Sequence, residues 1–126
     1  MRQFKDFSEL KQWCLDNDYS NTVIFRDPDY SSAVVGIASN GSLIYSYEKM
    51  VEWLMVACEL TETDAIEFID KNTLPAIEYE GEMRPVILYG IEKKTEEDYQ
   101  MIVLSFLAHT TKKRTLLSRA VPVSYL

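Results

Sequence analysis

Histidine and cysteine are nearly missing from this chain of 126 residues, which has His109 alone and only Cys14 and Cys58 as thiols. One imidazole excludes a multi-histidine metal centre, and two cysteines exclude a disulfide-rich scaffold and a cysteine zinc cage. The glycines Gly36, Gly41, Gly81 and Gly90 cannot assemble a phosphate-cradling loop or a dinucleotide fingerprint. No serine sits between two glycines at the spacing of a nucleophile elbow. Long apolar runs are missing as well. The longest, Met101 to Ala108, is broken by Ser105 and falls short of the roughly 20 residues a bilayer span requires. The opening Met1-Arg2-Gln3-Phe4-Lys5-Asp6 has no apolar stretch behind its positive charge, so no export signal is expected. The expected setting is the cytoplasm, with reduced thiols and no membrane contact.

What is present is a composition for a single core: 47% hydrophobic, 12% aromatic and 26% charged residues. The charge is unevenly spread. Residues 1–98 hold all 20 acids against nine bases, a balance of −11, whereas residues 99–126 carry Lys112, Lys113, Arg114 and Arg119 and no acid, a balance of +4. The chain therefore reads as an acidic α+β body over residues 1–98 and a basic segment over 99–126 packed on the same domain. A body of that sign repels phosphate, so nucleic acid is not its expected partner, whereas a basic protein surface is.

Periodicity places the elements. Asp6 and Glu9 have the spacing of a capping box ahead of the stripe Phe7, Leu10, Trp13 and Cys14, a helix that should stop at Asn17-Asp18. Thr22 to Phe25 reads as a buried strand, Asp27-Pro28-Asp29 as a turn, and Ala33–Ala38 and Ser42–Tyr45 as strands. The last two are joined at Asn40-Gly41, whose type I′ turn asks for positive φ at both residues. Ser46 caps a second helix with Met50, Val51, Leu54, Ala57 and Cys58 on one face. Thr61 to Asp64 starts a third helix with Ala65, Ile66 and Ile69 inward, which Asn72 and Pro75 should end. Ala76–Tyr79 and Val86–Tyr89 read as a second hairpin around Glu80-Gly81-Glu82, with Pro85 at a first strand position or an edge. Tyr99, Ile102, Val103 and Phe106 fit a helix better than a strand, because the first turn is acidic. The expected whole is a small antiparallel sheet built from hairpins and packed against three to four helices.

The chemistry-bearing residues are few. Cys14 or Cys58 with His109 would make a nucleophile–base pair, but both thiols fall on apolar stripes and read as inert core groups. Asp27 and Asp29 flank Pro28 and, with Glu48 or Asp70, would be the carboxylates of a small metal-dependent hydrolase; a solvated turn explains them more simply. No catalytic residue, cofactor or metal ligand is assigned. Partner contacts are assigned to Tyr45, Tyr47, Glu48, Glu52 and Trp53 around the start of the second helix. Tyr47 and Trp53 lie off the Met50/Leu54 stripe, and interfaces favour tyrosine and tryptophan for their rigid area and polar handle. A homodimer through Tyr47 and Trp53 is the competing use of the same patch.

The stretch from Asn40 to Leu54, a hairpin turn leading to a tyrosine-rich strand and then a helix, resembles small proteins of Gram-positive bacteria and their phages and mobile elements. Ala65 to Thr73, Ala76 and Pro85-Val86-Ile87 are similar to a second block of the same family. The resemblance covers roughly residues 20–90 and implies a small accessory protein with no assigned catalytic residue. Together with the charge it sets the functional expectation: a non-catalytic acidic binding protein, for instance one that occupies a groove built for phosphates in a host nucleic-acid-binding protein.

Overall fold

The computed structural model describes residues 3–91 together with Tyr99, Met101 and Leu104. Helix α1 (Phe7–Asp16) opens where expected, with the Asp6 carboxylate accepting from the Glu9 amide at 3.0 Å. It closes at Asn17. Asp18 turns to φ +65°, and the Tyr19 amide reaches back to the Cys14 carbonyl at 2.8 Å, satisfying an orphan carbonyl. Strands β1 (Val34–Ile37) and β2 (Leu43–Ser46) form the hairpin, preceded by a single 3₁₀ turn at Ser31–Ala33. Helix α2 (Tyr47–Ala57) follows β2 directly, its first turn capped by Ser46, whose hydroxyl accepts from the Lys49 amide at 3.3 Å. Helix α3 (Glu62–Phe68) is capped by Thr61. It runs through a π-helical turn at Ile69–Thr73 into the short helix α4 (Leu74–Ile77), and strand β3 (Val86–Leu88) comes last.

The class is α+β, with a three-stranded sheet in the order β1-β2-β3. Four expectations change in detail. First, the sheet is mixed rather than antiparallel: β2 pairs antiparallel with β1 but parallel with β3. A parallel neighbour cannot come from a tight hairpin, and the chain between β2 and β3 supplies the necessary crossover through α2, α3 and α4. Second, Ala76–Tyr79 is therefore not a strand. Pro75 does not end the third helix but sits in the first turn of α4, and Asn72 stays helical. The widened turn explains this. The Leu74 amide bonds the Ile69 carbonyl, an i to i+5 step, just where a proline ring would crowd a regular α-turn.

Third, Thr22–Phe25 joins no sheet. Its Val23 amide bonds the Met83 carbonyl at 3.2 Å, and the Phe25 amide is taken by the Tyr45 hydroxyl at 3.3 Å, so no ladder forms. Fourth, the β1–β2 loop is not a type I′ turn. Only Gly41 takes positive φ, at +96°. The Gly41 amide bonds the Ala38 carbonyl at 2.9 Å and the Ala38 amide bonds the Ser42 carbonyl at 2.8 Å, which makes a three-residue loop of Ser39, Asn40 and Gly41. A bulge between Val34 and Gly36 adjusts the register of β1.

The core lies between the sheet and the helices. Leu10 and Cys14 from α1 and Met50, Val51, Leu54 and Met55 from α2 meet Leu43 and Tyr45 from β2 and Ala65 and Ile69 from the third helix. Phe25 sits at its centre, edge-on to Tyr30 at 5.3 Å and to Tyr45 at 4.8 Å between ring centroids. Tyr30 is fully buried, and its hydroxyl is satisfied by Thr73 Oγ1 at 3.0 Å. Tyr99, Met101 and Leu104 are helical, as expected of that stretch. The other residues of the 99–126 segment, His109 and the basic run included, lie outside the described residues. Among the described residues no helix is long and apolar enough to cross a membrane.

Candidate functional site

The parallel pairing of β2 with β3 positions the site. Its register sets Ser46 opposite Leu88, the last residue of each strand. Beyond the strands the chains stay side by side, which brings Tyr47 beside Tyr89 and Glu48 beside Gly90. The Tyr47 and Tyr89 rings lie 4.8 Å apart at 31°. The Gly90 amide donates to both carboxylate oxygens of Glu48, at 3.0 and 3.2 Å. Glu48 is also in the first turn of α2, where a negative charge complements the helix dipole.

The third helix supplies the opposite wall. Glu62, Ile66 and Asp70 follow one another at intervals of four along it, and the Tyr47 hydroxyl donates to Asp70 Oδ1 at 3.0 Å. With Tyr99 these residues enclose a cleft of about 470 Å³. Three phenols and three carboxylates line it, and no described lining residue is a lysine, arginine or histidine. The electrostatics follow from the lining. Burial raises the Tyr99 hydroxyl to about 12, with Glu48, Glu62 and Glu52 adding to the shift. Burial raises Tyr47 too, and its hydrogen bond to Asp70 adds to this. Tyr89 is raised by burial and by Asp70. At neutral pH the phenols are neutral donors and apolar plates, and among the described lining residues the charge comes from the carboxylates. Such a lining has the chemistry to hold a cation.

The five residues assigned to partner contact separate. Tyr45 belongs to the core, at 0% exposure, with its hydroxyl on the Phe25 amide, so it is not a surface contact. Its neighbour Tyr47 and Glu48 are at the cleft. Glu52 and Trp53 line a separate groove of about 230 Å³ with Gln3, Ser32, Lys49 and Val56. Trp53 packs its ring edge-on against Tyr30 at 5.7 Å, so much of its area serves the core. Glu62, Tyr89, Gly90 and Tyr99 are not assigned from sequence, and Asp70 enters there only as a candidate metal carboxylate with Asp27 and Asp29, neither of which lines the cleft. The interval of four linking Glu62, Ile66 and Asp70 was the signal open to reading, but a helix expected to end at Asn72 gave no reason to weight it. Nothing local announces Tyr89 and Gly90, because only the long-range parallel register brings them in.

The remaining candidates resolve into structure. Asp29 spends its carboxylate on the Phe7 amide at 2.8 Å and on the Ser31 amide and hydroxyl at 3.1 and 2.5 Å, which ties the start of α1 to the 3₁₀ turn. Asp27 is exposed beside Pro28. Cys14 and Cys58 are both buried, and burial pushes the Cys58 thiol up to about 12, Asp27 adding to it, and raises Cys14 as well. That is the reverse of what an activated thiolate needs. A further cleft of about 350 Å³ beside α1 has the opposite charge. It is lined by Lys11 and Arg26, both of which lie over the Phe7 ring, at 5.9 and 4.8 Å from its centroid.

Comparison of the chain with protein-family models, with curated proteins and with solved structures returns no match.

Proposed function

We propose that this chain is a non-catalytic acidic binding protein that docks on a basic surface of another macromolecule through the Tyr47–Glu48–Asp70–Tyr89 cleft. The observation that carries the reading is the lining itself, in which three carboxylates and three phenols converge with no described cation among them. A body with a balance of −11 over residues 1–98 supports it, since long-range attraction speeds association with a basic partner and makes it salt-sensitive. The resemblance to small proteins of Gram-positive bacteria and their mobile elements favours one version, a phage-type inhibitor acting in the cytoplasm. In that version the carboxylates occupy a groove that a host nucleic-acid-binding protein reserves for phosphates.

Retention on immobilised polylysine tests the site. The Glu48→Gln/Asp70→Asn variant is compared with Glu78→Gln/Glu80→Gln, which removes the same charge away from the cleft. The cleft variant should weaken binding several-fold and the control by less than about twofold, with wild-type binding falling steeply from about 50 to about 300 mM salt. Equal losses in the two variants would mean that the cleft is not the docking site.

A further inference from the structure

We infer that the cleft is selective for arginine, taking the guanidinium of a basic partner segment in preference to a lysine ammonium. The inference rests on the docking role proposed above and adds the chemistry of the group that is docked. The Tyr47 and Tyr89 rings are in contact, tilted by 31°, and Tyr89 is 54% exposed, which leaves ring area open beside the cleft. Tyr47 is tethered at both ends, its hydroxyl donating to Asp70 and its backbone lying in the first turn of α2. A planar guanidinium lies on the open Tyr89 face while its fork of donors meets the Asp70 carboxylate. An ammonium is a compact, strongly hydrated point charge and gains little from a flat aromatic wall.

Asp70 supplies the carboxylate for the fork, its Oδ1 already accepting from Tyr47 beside the Tyr89 ring, and Glu62 adds negative charge to the same wall of the cleft. Glu48 is held at its station by the Gly90 amide, so it shapes the field without being free to collapse across the opening. Tyr99, at 5% exposure, adds a third neutral aromatic ring to the lining.

The test uses the full chain and two charge-matched probes, a capped (Gly-Arg)₄ peptide and its (Gly-Lys)₄ counterpart, with affinities measured by fluorescence anisotropy. The arginine peptide should bind about fivefold tighter, and the preference should shrink below about twofold in Tyr89→Leu, which removes the stacking plate but no charge. Equal affinity for the two peptides overturns arginine selectivity and leaves the docking role standing. Absence of binding by either peptide overturns both. A preference for arginine that survives Tyr89→Leu places the selective site elsewhere and also overturns the inference. Binding that emerges only in Arg114→Gln/Arg119→Gln would assign the cleft to this chain's own arginines and overturn the partner assignment.

Discussion

Replacing Asp29 separates a structural carboxylate from a chemical one. Its Oδ2 accepts from the Phe7 amide, one of the orphan donors at the start of α1, and Oδ1 accepts from the amide and hydroxyl of Ser31. Asparagine can keep the Ser31 bonds through its carbonyl oxygen, but its NH₂ then faces the Phe7 amide, donor against donor. The variant loses one charge-assisted bond and leaves a half-buried donor unmet, which should cost about 2–3 kcal/mol. Alanine loses all three bonds and should cost about 3–5 kcal/mol. For a chain of this size the asparagine change should lower the melting temperature by on the order of 10 °C. Asp27→Asn, at an exposed position, should stay within about 0.5 kcal/mol. Urea unfolding followed by circular dichroism gives all three values. Similar small losses at Asp27 and Asp29 would refute the assignment, and the pair would again have to be read as free surface carboxylates.

The other predictions concern the core, the turn and the tyrosines. Leu54→Ala empties a fully buried site and should cost about 2–5 kcal/mol by the same unfolding assay. Gly41→Ala places a Cβ at positive φ and 2.8 Å from Met83 Cε, so it should destabilise by about 1–2 kcal/mol. At Gly81 the φ is also positive but the space is open, and the same change should cost less. Cys14 and Cys58 should resist a thiol reagent in the native protein at pH 8 and react fully once urea is added, because burial raises both thiols. The buried tyrosines set an alkaline limit. Their native pKa values lie above the ordinary value, Tyr99 reaching about 12, so the folded state holds more protons between about pH 10 and 12. The stabilisation they contribute is complete below pH 10 and is lost as pH rises through that window; denaturation midpoints measured across it should fall.

Local chemistry was readable wherever the deciding neighbours are close in sequence. Asp6, Ser46 and Thr61 each accept from an amide three residues on, an interaction set by residue type and spacing, and all three caps form. The stripe Leu10/Cys14 and the face Met50/Val51/Leu54 bury as their 3.6-residue period demands. Readings failed where distant chain decides. Pro75 looked like a terminator because a π-turn leaves no local mark. Val86–Tyr89 reads as a strand and Val86–Leu88 forms one, yet its partner is β2 in parallel and not Ala76–Tyr79. Of the site, Tyr47 and Glu48 were legible from their place at the start of α2. Tyr89 and Gly90 were not, since their role exists only through the register that sets Ser46 opposite Leu88. Tyr45 misled for a simple reason: alternation along a strand sends neighbours to opposite faces, and Tyr45 took the inward one.

The measurement closest to the centre of this account is a titration of the (Gly-Arg)₄ peptide into isotope-labelled protein, followed by amide chemical shifts. The Gly90 amide, which is bound to Glu48, and the amides of Tyr47, Asp70 and Tyr89 should move together and saturate at one dissociation constant. Shifts confined to the Glu52/Trp53 groove, or scattered thinly over the acidic surface with no saturation, would contradict it.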